Sequence, residues 1–278
     1  MEEIDVREPA RTDFSASRET ERLLRSISRT RTRLTMLGCG ASGGVPWVGT
    51  GWGACDPSNP KNRRRRCSVL IERIAANGAT TTVLVDTSPD LREQLLSANV
   101  RKLDSVLYTH EHADHIHGID DLRPLAIVMR RRIPVYADRF TSEALQTRFG
   151  YCFEAPAGSS YPPILEMKCL RGGVPTVIAG PGGPVEALPF RMIHGDIEAL
   201  GFRFGRIAYA PDVSRIPEES LPSLEGLDVL ILDALRYAPH PAHLSVNEAL
   251  ALIERVRPRR AILTNLHTDL DYEKLRCE

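Results

Sequence analysis

The rest of the chain is organised around the stretch His110-Glu111-His112-Ala113-Asp114-His115, which places three histidines and an aspartate within six residues. The apolar run before it, residues 104–109, is typical of a buried strand, so the cluster begins at the sheet edge where α/β proteins bind ligands. Imidazole and carboxylate are the ligands that zinc-like divalent ions prefer. The first two histidines can reach one ion from a turn, while the aspartate and the last histidine project elsewhere and can serve a second. The spacing therefore predicts a two-metal site rather than a surface loop that happens to be rich in histidine.

This pattern resembles the signature of the metallo-β-lactamase superfamily of hydrolases. Within it, residues 34–47 and 261–264 resemble the branch that contains ribonuclease Z and the cyclic phosphodiesterase of the carbon–phosphorus lyase pathway. The likeness to the phosphodiesterase is closer and covers most of the chain from about residue 33 onward. The resemblance implies an α/β fold of the metallo-β-lactamase type, a four-layer αββα sandwich with a two-metal site at one edge. Relatives usually continue past the last residue of this chain, so the resemblance leaves open whether the sandwich is complete at its C-terminus.

The composition is that of one large α/β domain, with 278 residues of which 42% are apolar. Lys+Arg and Asp+Glu number 36 each, so no global charge attracts nucleic acid or a membrane. No apolar stretch approaches membrane-spanning length and no secretory signal is evident, so we expect a cytoplasmic protein. The six cysteines have no compact disulfide spacing and are expected to be reduced. Residues 1–32 are predicted to be a flexible tail, and residues 33–278 the hydrolase domain.

Hydrophobic periodicity predicts strands that alternate with helices. The predicted strands are at residues 34–37, 68–72, 82–86, 104–109, 134–136, 188–193, 206–210, 228–232 and 261–264. The predicted helices are at residues 89–98, 116–128, 141–149 and 246–256. Ser245 and Glu248 form a capping-box pattern that opens the last of these helices.

Two segments near the start each allow two interpretations. The glycine-rich turn at residues 38–44 lets the backbone approach something closely, but the Lys-Ser or Lys-Thr of a Walker motif is missing. It is either a tight connection beside the site or a direct phosphate contact. The four arginines at residues 63–66 are either a solvated basic edge, which we favour, or an anchor for a phosphate or an RNA backbone. At the irregular segment of residues 46–57, several phosphodiesterases of the resembled group carry a cysteine-rich zinc site; because this chain keeps only Cys55 there, we expect that accessory zinc to be missing.

Single residues farther along match positions at which the family binds its ions. The resemblance implies that His194 completes the first ion's ligands with His110 and His112, and that Asp212 bridges both ions. Each follows a predicted strand. Without the resemblance, a lone histidine or aspartate at a strand end is ordinarily a packing, surface or turn residue.

The last ligand departs from the family pattern. The family has a histidine directly after Leu-Thr, where this chain has Asn265. His267 is the nearest imidazole and is expected to reach the second ion if the turn is rearranged. Residues 268–278 begin a helix without a C-cap glycine or a following strand, so we predict that they are loosely held and that the second ion binds more weakly.

His243 stands just before a predicted helix N-terminus, which points it toward the ligand edge of the sheet. A histidine at the matching position assists catalysis in the resembled phosphodiesterase, so His243 is the candidate general acid. The alternative is a solvent-exposed loop histidine. The resemblance also implies that Asp114 orients the nucleophile besides binding metal. Two divalent ions, zinc or manganese, would activate a water and bind the phosphodiester oxygens.

Three functions remain open. The leading one is a phosphodiesterase acting on a small cyclic phosphate or nucleotide-like diester. Ribonuclease Z-like cleavage of transfer RNA is disfavoured, because the balanced charge offers little to a large nucleic acid. A non-catalytic metal-binding or redox module is the third. We expect a small phosphodiester substrate, with neither nucleic acid nor a membrane as partner, and a homodimer is compatible with the sequence.

Overall fold

The structure is a computed structural model that describes residues 2–7 and 30–278. These residues form two β-sheets. The first sheet has the strand order β1 (Glu3–Arg7), β2 (Arg31–Gly38), β3 (Ser68–Ile74), β4 (Thr80–Val85), β5 (Ser105–Leu107), β6 (Ile133–Ala137) and β7 (Leu165–Cys169). The second has, from the opposite edge, β8 (Thr176–Ile178), β9 (Val185–His194), β10 (Ile197–Phe204), β11 (Ile207–Ala210), β12 (Val229–Asp233) and β13 (Arg260–Thr264). Strands β4 to β7 and β11 to β13 run parallel within their sheets, and the other neighbours are antiparallel.

Six helices accompany the sheets in the described residues. They are α1 (Leu91–Ser97), α2 (Ala113–Ile116), α3 (Arg123–Met129), α4 (Arg139–Phe149), α5 (Val246–Val256) and α6 (Tyr272–Cys277). Of the helices that the structure describes, none combines the length and apolar character needed to cross a membrane.

Three clusters of buried apolar side chains separate four layers. In β4, Val83 points into the cluster between the two sheets, while Leu84 points into the cluster shared with α1 to α4. In β12, Ile231 faces the first sheet and Leu230 faces the cluster under α5. This alternation is the period-two geometry of a strand buried on both faces, and each such side chain stabilises the fold by about 1.5–3 kcal/mol. The layers therefore stack as helices, sheet, sheet and helices, which confirms the predicted αββα sandwich.

Helix α5 has the predicted bounds because its first turn is capped. The Ser245 hydroxyl accepts from the Glu248 backbone N–H at 3.4 Å, and the Glu248 carboxylate accepts from the Ser245 N–H at 2.8 Å. This reciprocal pair satisfies N–H groups that a helix otherwise leaves free. The cap fixes the direction of the loop in which His243 lies.

The prediction of one continuous helix over residues 116–128 is wrong. This segment is divided into α2, a 3₁₀ turn at Ile119–Leu122 and α3. Gly118 packs tightly against the backbone of Ser88, since a Cβ at this position would lie 1.9 Å from the Ser88 carbonyl oxygen.

Strands β7, β8 and β10 were not predicted. In β10, Gly201 interrupts the apolar pattern because the ring of Phe190 occupies the space of its missing side chain.

The N-terminal boundary also differs from the prediction. Strand β1 pairs with β2 in antiparallel register, and its Ile4 is only 5% exposed. The tail predicted for residues 1–32 therefore does not hold for residues 3–7 or 31–32. Residues 8–29 lie outside the described residues.

The arginine run is not a solvated edge throughout. Arg64 is only 4% exposed, and its guanidinium donates to the Leu270 carbonyl at 2.6 Å and to Asn62 Oδ1 at 3.2 Å. Arg66 forms an ion pair with Asp90 at 2.7 Å. The favoured interpretation is therefore wrong for Arg64, whose charge is buried among hydrogen-bond acceptors.

These contacts hold the segment after β13. The Cys55 thiol donates to the carbonyls of Thr268 and Leu270 at 3.3 Å each. The Asp271 carboxylate accepts from the Asp56 N–H at 3.0 Å and from the Asn62 amide at 2.7 Å. The prediction that residues 268–278 are loosely held is therefore wrong for residues 268–271, because their partners come from a loop some 200 residues earlier.

Replacing Arg64 by Ala should lower the free energy of unfolding by about 2–4 kcal/mol, since it leaves buried acceptors without a donor. Urea unfolding measures this effect. Arg63→Ala is the matched control, since Arg63 is exposed and its described side-chain contact is with the ring of Trp52 at 5.4 Å; it should cost less than about 1 kcal/mol. Equal destabilisation by the two variants would contradict the structural role of Arg64.

Candidate metal centre

Loops at one edge of the sandwich bring together histidines and aspartates from both sheets. The first sheet supplies the residues after β5, and the second supplies residues at the ends of β9, β11 and β12. Three groups have ligand atoms that all lie within 4.8 Å of one another: His110, His112 and His194; His110, His115 and Asp212; and Asp212, Asp233 and His243. The first two groups share His110 and the last two share Asp212, so they form one continuous cluster.

In the first group, hydrogen bonds to one ring nitrogen of His194 and of His110 leave the other ring nitrogen facing the cluster. His194 Nδ1 donates to the Ala242 carbonyl at 2.6 Å, which leaves Nε2 as an acceptor, and this atom lies 3.1 Å from His112 Nδ1. His110 Nδ1 lies 2.9 Å from the Thr109 hydroxyl, so its Nε2 faces the cluster. Such contacts to the other ring nitrogen orient histidines that bind metals.

In the second group, His115 is held from both sides. Its Nε2 lies 2.6 Å from Asp212 Oδ2 and 3.5 Å from Asp114 Oδ2. Its Nδ1 lies 2.8 Å from Asp86, a buried carboxylate that also accepts from the Thr109 N–H at 2.8 Å. Sequence reasoning missed Asp86. The available signal was its position at the end of a predicted strand beside the cluster.

Two buried polar atoms in this cluster have no hydrogen-bond partner: His110 Nε2 and Asp212 Oδ1. Buried polar atoms are nearly always paired, so two unpaired atoms on neighbouring residues of one cluster call for a missing partner. The donor set is neutral imidazole nitrogen together with carboxylate oxygen, which suits zinc or a similar divalent ion. The residues present therefore fit the metals that the fold family implies.

The charge balance of the cluster also favours a cation. Burial, reinforced by neighbouring histidines, holds the pKa of His110 well below its ordinary value, so its ring is neutral with a free lone pair. Burial also works to lower the pKa of His115, but the carboxylates of Asp212, Asp114 and Asp86 outweigh it and raise that pKa well above its ordinary value. Several carboxylates thus surround few positive groups, which is the environment of a cation site.

The third group contains a histidine held by a buried carboxylate. His243 Nδ1 donates to Asp233 Oδ2 at 2.8 Å, and Asp233 also accepts from the Val213 N–H at 3.0 Å and from the Asn265 amide at 3.1 Å. Burial raises the pKa of Asp233 to about 7. Burial works to lower the pKa of His243, but its hydrogen bond to Asp233 and the charge of that carboxylate outweigh it and raise the pKa. Sequence reasoning missed Asp233, which lies at the end of β12.

The structure does not bring His267 to the ligand cluster. It belongs to none of the ligand groups found among the described residues, and its Nδ1 lies 3.3 Å from Asp269. The His267 N–H is bound to the Leu235 carbonyl at 3.0 Å, and the ring lies beside Trp47 in the wall of the cleft. Asn265 is buried and its amide contacts Asp233 and His243 instead.

The cluster opens into a cleft of about 340 Å³. Its walls include Asp114 and His243, residues 41–44 of the glycine-rich turn, Trp47 and Arg236. The glycine-rich turn is therefore a wall of the site itself. None of residues 63–66 lines this cleft, so the geometry gives no support to the phosphate-anchor interpretation of the arginine run.

Comparison with known proteins places this geometry in a family. A family model described as a β-lactamase superfamily domain matches residues 81–265. A solved diphosphatase from the PhnP family is 37% identical, with a TM-score of 0.79, and the match covers 90% of this chain and 91% of that one. The short form of human tRNase Z is 20% identical with a TM-score of 0.55, over 84% of this chain and 92% of that one, a likeness of fold alone.

Among curated relatives, an octanoyltransferase of Porphyromonas gingivalis is 33% identical over 248 residues, or 87% of this chain. The match covers 48% of that relative, so the chain spans about half its length. The family match and the 37% identity to the diphosphatase confirm the predicted resemblance. The chain belongs to the metallo-β-lactamase superfamily of hydrolases and is related to the PhnP family.

Proposed function

We propose that the protein is a metal-dependent phosphodiesterase that hydrolyses a small cyclic phosphate or nucleotide-like phosphodiester. The observation that carries the proposal is the pair of His243 and Asp233, placed beside the ligand cluster within one cleft. His243 Nδ1 lies 2.8 Å from Asp233 and 4.0 Å from Asp212 Oδ1. A proton donor fixed next to a metal-type ligand set is what cleavage of a diester with a poor leaving group requires.

We assign the ligands to two ions, zinc or manganese. His110, His112 and His194 would hold the first. Asp114 and His115 would hold the second, and Asp212 would be shared. When bound, such ions supply hydroxide at neutral pH and neutralise charge on phosphate oxygens.

The remaining chemistry falls to side chains of this chain. Since Nδ1 of His243 donates to Asp233, Nε2 is the nitrogen available to give a proton to the departing alkoxide. Asp233 fixes the orientation and the tautomer of that ring. Asp114, whose side chain is 16% exposed and lines the cleft, is placed to orient the attacking water.

The size and charge of the cleft favour a small substrate. About 340 Å³ is near the lower end of the range for ligand pockets. Among the residues that the structure describes, Arg236 is the one arginine that lines the cleft, and no lysine does. One guanidinium suits a single anionic group, whereas processing of a transfer RNA depends on many phosphate contacts.

Metal analysis after dialysis against zinc should find about two ions per chain, because the cluster holds two ligand sets that share Asp212. Asp212→Ala should lose at least one ion, since the shared carboxylate is removed. His267→Ala is the control and should keep both with unchanged affinity. One ion or none in the wild-type protein, or loss of an ion from the His267 variant, would contradict the assignment.

His243→Ala should lower kcat by about 10²–10⁴-fold for diesters with an alkoxide leaving group, and far less for bis(p-nitrophenyl) phosphate, whose leaving group needs no proton. Steady-state kinetics with both substrates measure the difference. Asp233→Asn should lower kcat for the same class of diesters, but by a smaller factor. The imidazole of His243 is still present in this variant, and only its orientation is disturbed. An equal loss on both substrates would reassign His243 to binding or structure.

A further inference from the structure

Trp47 is a cleft residue that the proposed chemistry does not use. Its side chain lines the same cleft as Asp114 and His243, yet it is 40% exposed. An indole with this much exposed apolar surface, beside a cluster of charged and polar groups, is not fully accounted for by packing in the core. Its position therefore indicates a contact with a molecule that binds in the cleft.

Three contacts fix the indole in place. A Cβ on Gly43 would lie 1.7 Å from Trp47 Nε1, so the ring rests directly on the backbone of the glycine-rich turn. The ring of His267 meets it edge-on, with centroids 5.1 Å apart and planes at 84°. Two backbone hydrogen bonds of 2.8 Å join Trp47 and Gly51 and close the loop that carries it. The indole is thus held against the glycine-rich turn and His267, while Trp47 stays 40% exposed.

We infer that Trp47 is a stacking platform for a flat ring of the substrate, which makes the substrate class a nucleotide or another aryl-bearing phosphodiester rather than a plain sugar phosphate. This inference rests on the proposed function and specifies its substrate. An indole held rigidly in a cleft offers a π-face to any base at little cost in conformational entropy. His267, predicted from the sequence to bind the metal, instead supports this platform.

The test compares two ligands that differ by a base. Adenosine 5′-monophosphate and ribose 5-phosphate are titrated into zinc-loaded protein, and the dissociation constants are measured by calorimetry. Wild-type protein should bind the nucleotide about 5- to 150-fold more tightly, the range of base stacking on an aromatic side chain. Trp47→Ala should lose this preference while binding ribose 5-phosphate as before.

Two further variants separate stacking from folding. Gly43→Ala keeps the indole but displaces it, because the new Cβ occupies the position of the ring, so it should also lose the preference. Trp52→Ala is the control, since Trp52 does not line the cleft and should leave the preference unchanged. Equal binding of the two ligands by wild-type protein, or a preference that survives in Trp47→Ala, overturns the inference.

Hydrolysis of bis(p-nitrophenyl) phosphate by the wild-type protein is measured in parallel. Hydrolysis without a preference for the nucleotide overturns the stacking role alone. Absence of both hydrolysis and ligand binding overturns the proposed function and, with it, the stacking role.

Discussion

The candidate metal centre is built around the meeting of His110 and Asp212 at the edge of the sandwich. The two residues follow strands of different sheets, and His110 Nε2 lies 3.4 Å from Asp212 Oδ2. Each also presents a buried atom that has no hydrogen-bond partner. An unpaired buried polar group costs about 1–3 kcal/mol, so the apolar cluster between the sheets must hold the two edges together against this cost. A bound cation would turn the same contact into a stabilising one.

Around this contact, a second set of residues fixes the orientation of the histidine rings through hydrogen bonds. Asp86 binds His115 from the first sheet, and Asp233 binds His243 from the second. The Ala242 carbonyl does the same for His194. These partners are buried or lie in the backbone, so they fix ring orientation more firmly than exposed groups could. The chemistry of the site thus depends on hydrogen-bond partners outside the proposed ligand set as well as on the ligands themselves.

The sequence predicted those parts of the fold and site whose signals are local. Four ligand-type residues stand within the 110–115 stretch, and helix α5 has a capping box within its own first turn. The metal roles of His194 and Asp212 needed the family resemblance, because neither has a distinctive neighbourhood in the sequence. The structure brings both to the cluster, while their role as metal ligands stays a prediction.

The prediction failed where the deciding contact is distant in the chain. His267 is the nearest imidazole in sequence, but its N–H is bound to the Leu235 carbonyl and its ring contacts Trp47 and Asp269. The solvated-edge prediction fails for Arg64 because its acceptor, the Leu270 carbonyl, lies 206 residues later. In both cases the pattern along the chain carries no trace of the partner. Strand β10 is missed for a more local reason, since Gly201, which accommodates a ring from β9, interrupts its apolar pattern.

Anomalous diffraction at the zinc edge, on crystals of zinc-loaded protein, tests whether Asp212 is shared by two ions. We expect two zinc positions that both bond to the Asp212 carboxylate, with His110 in the first set of ligands and His115 in the second. A single zinc position, or a second zinc bound through His267 and not through Asp212, would contradict this assignment.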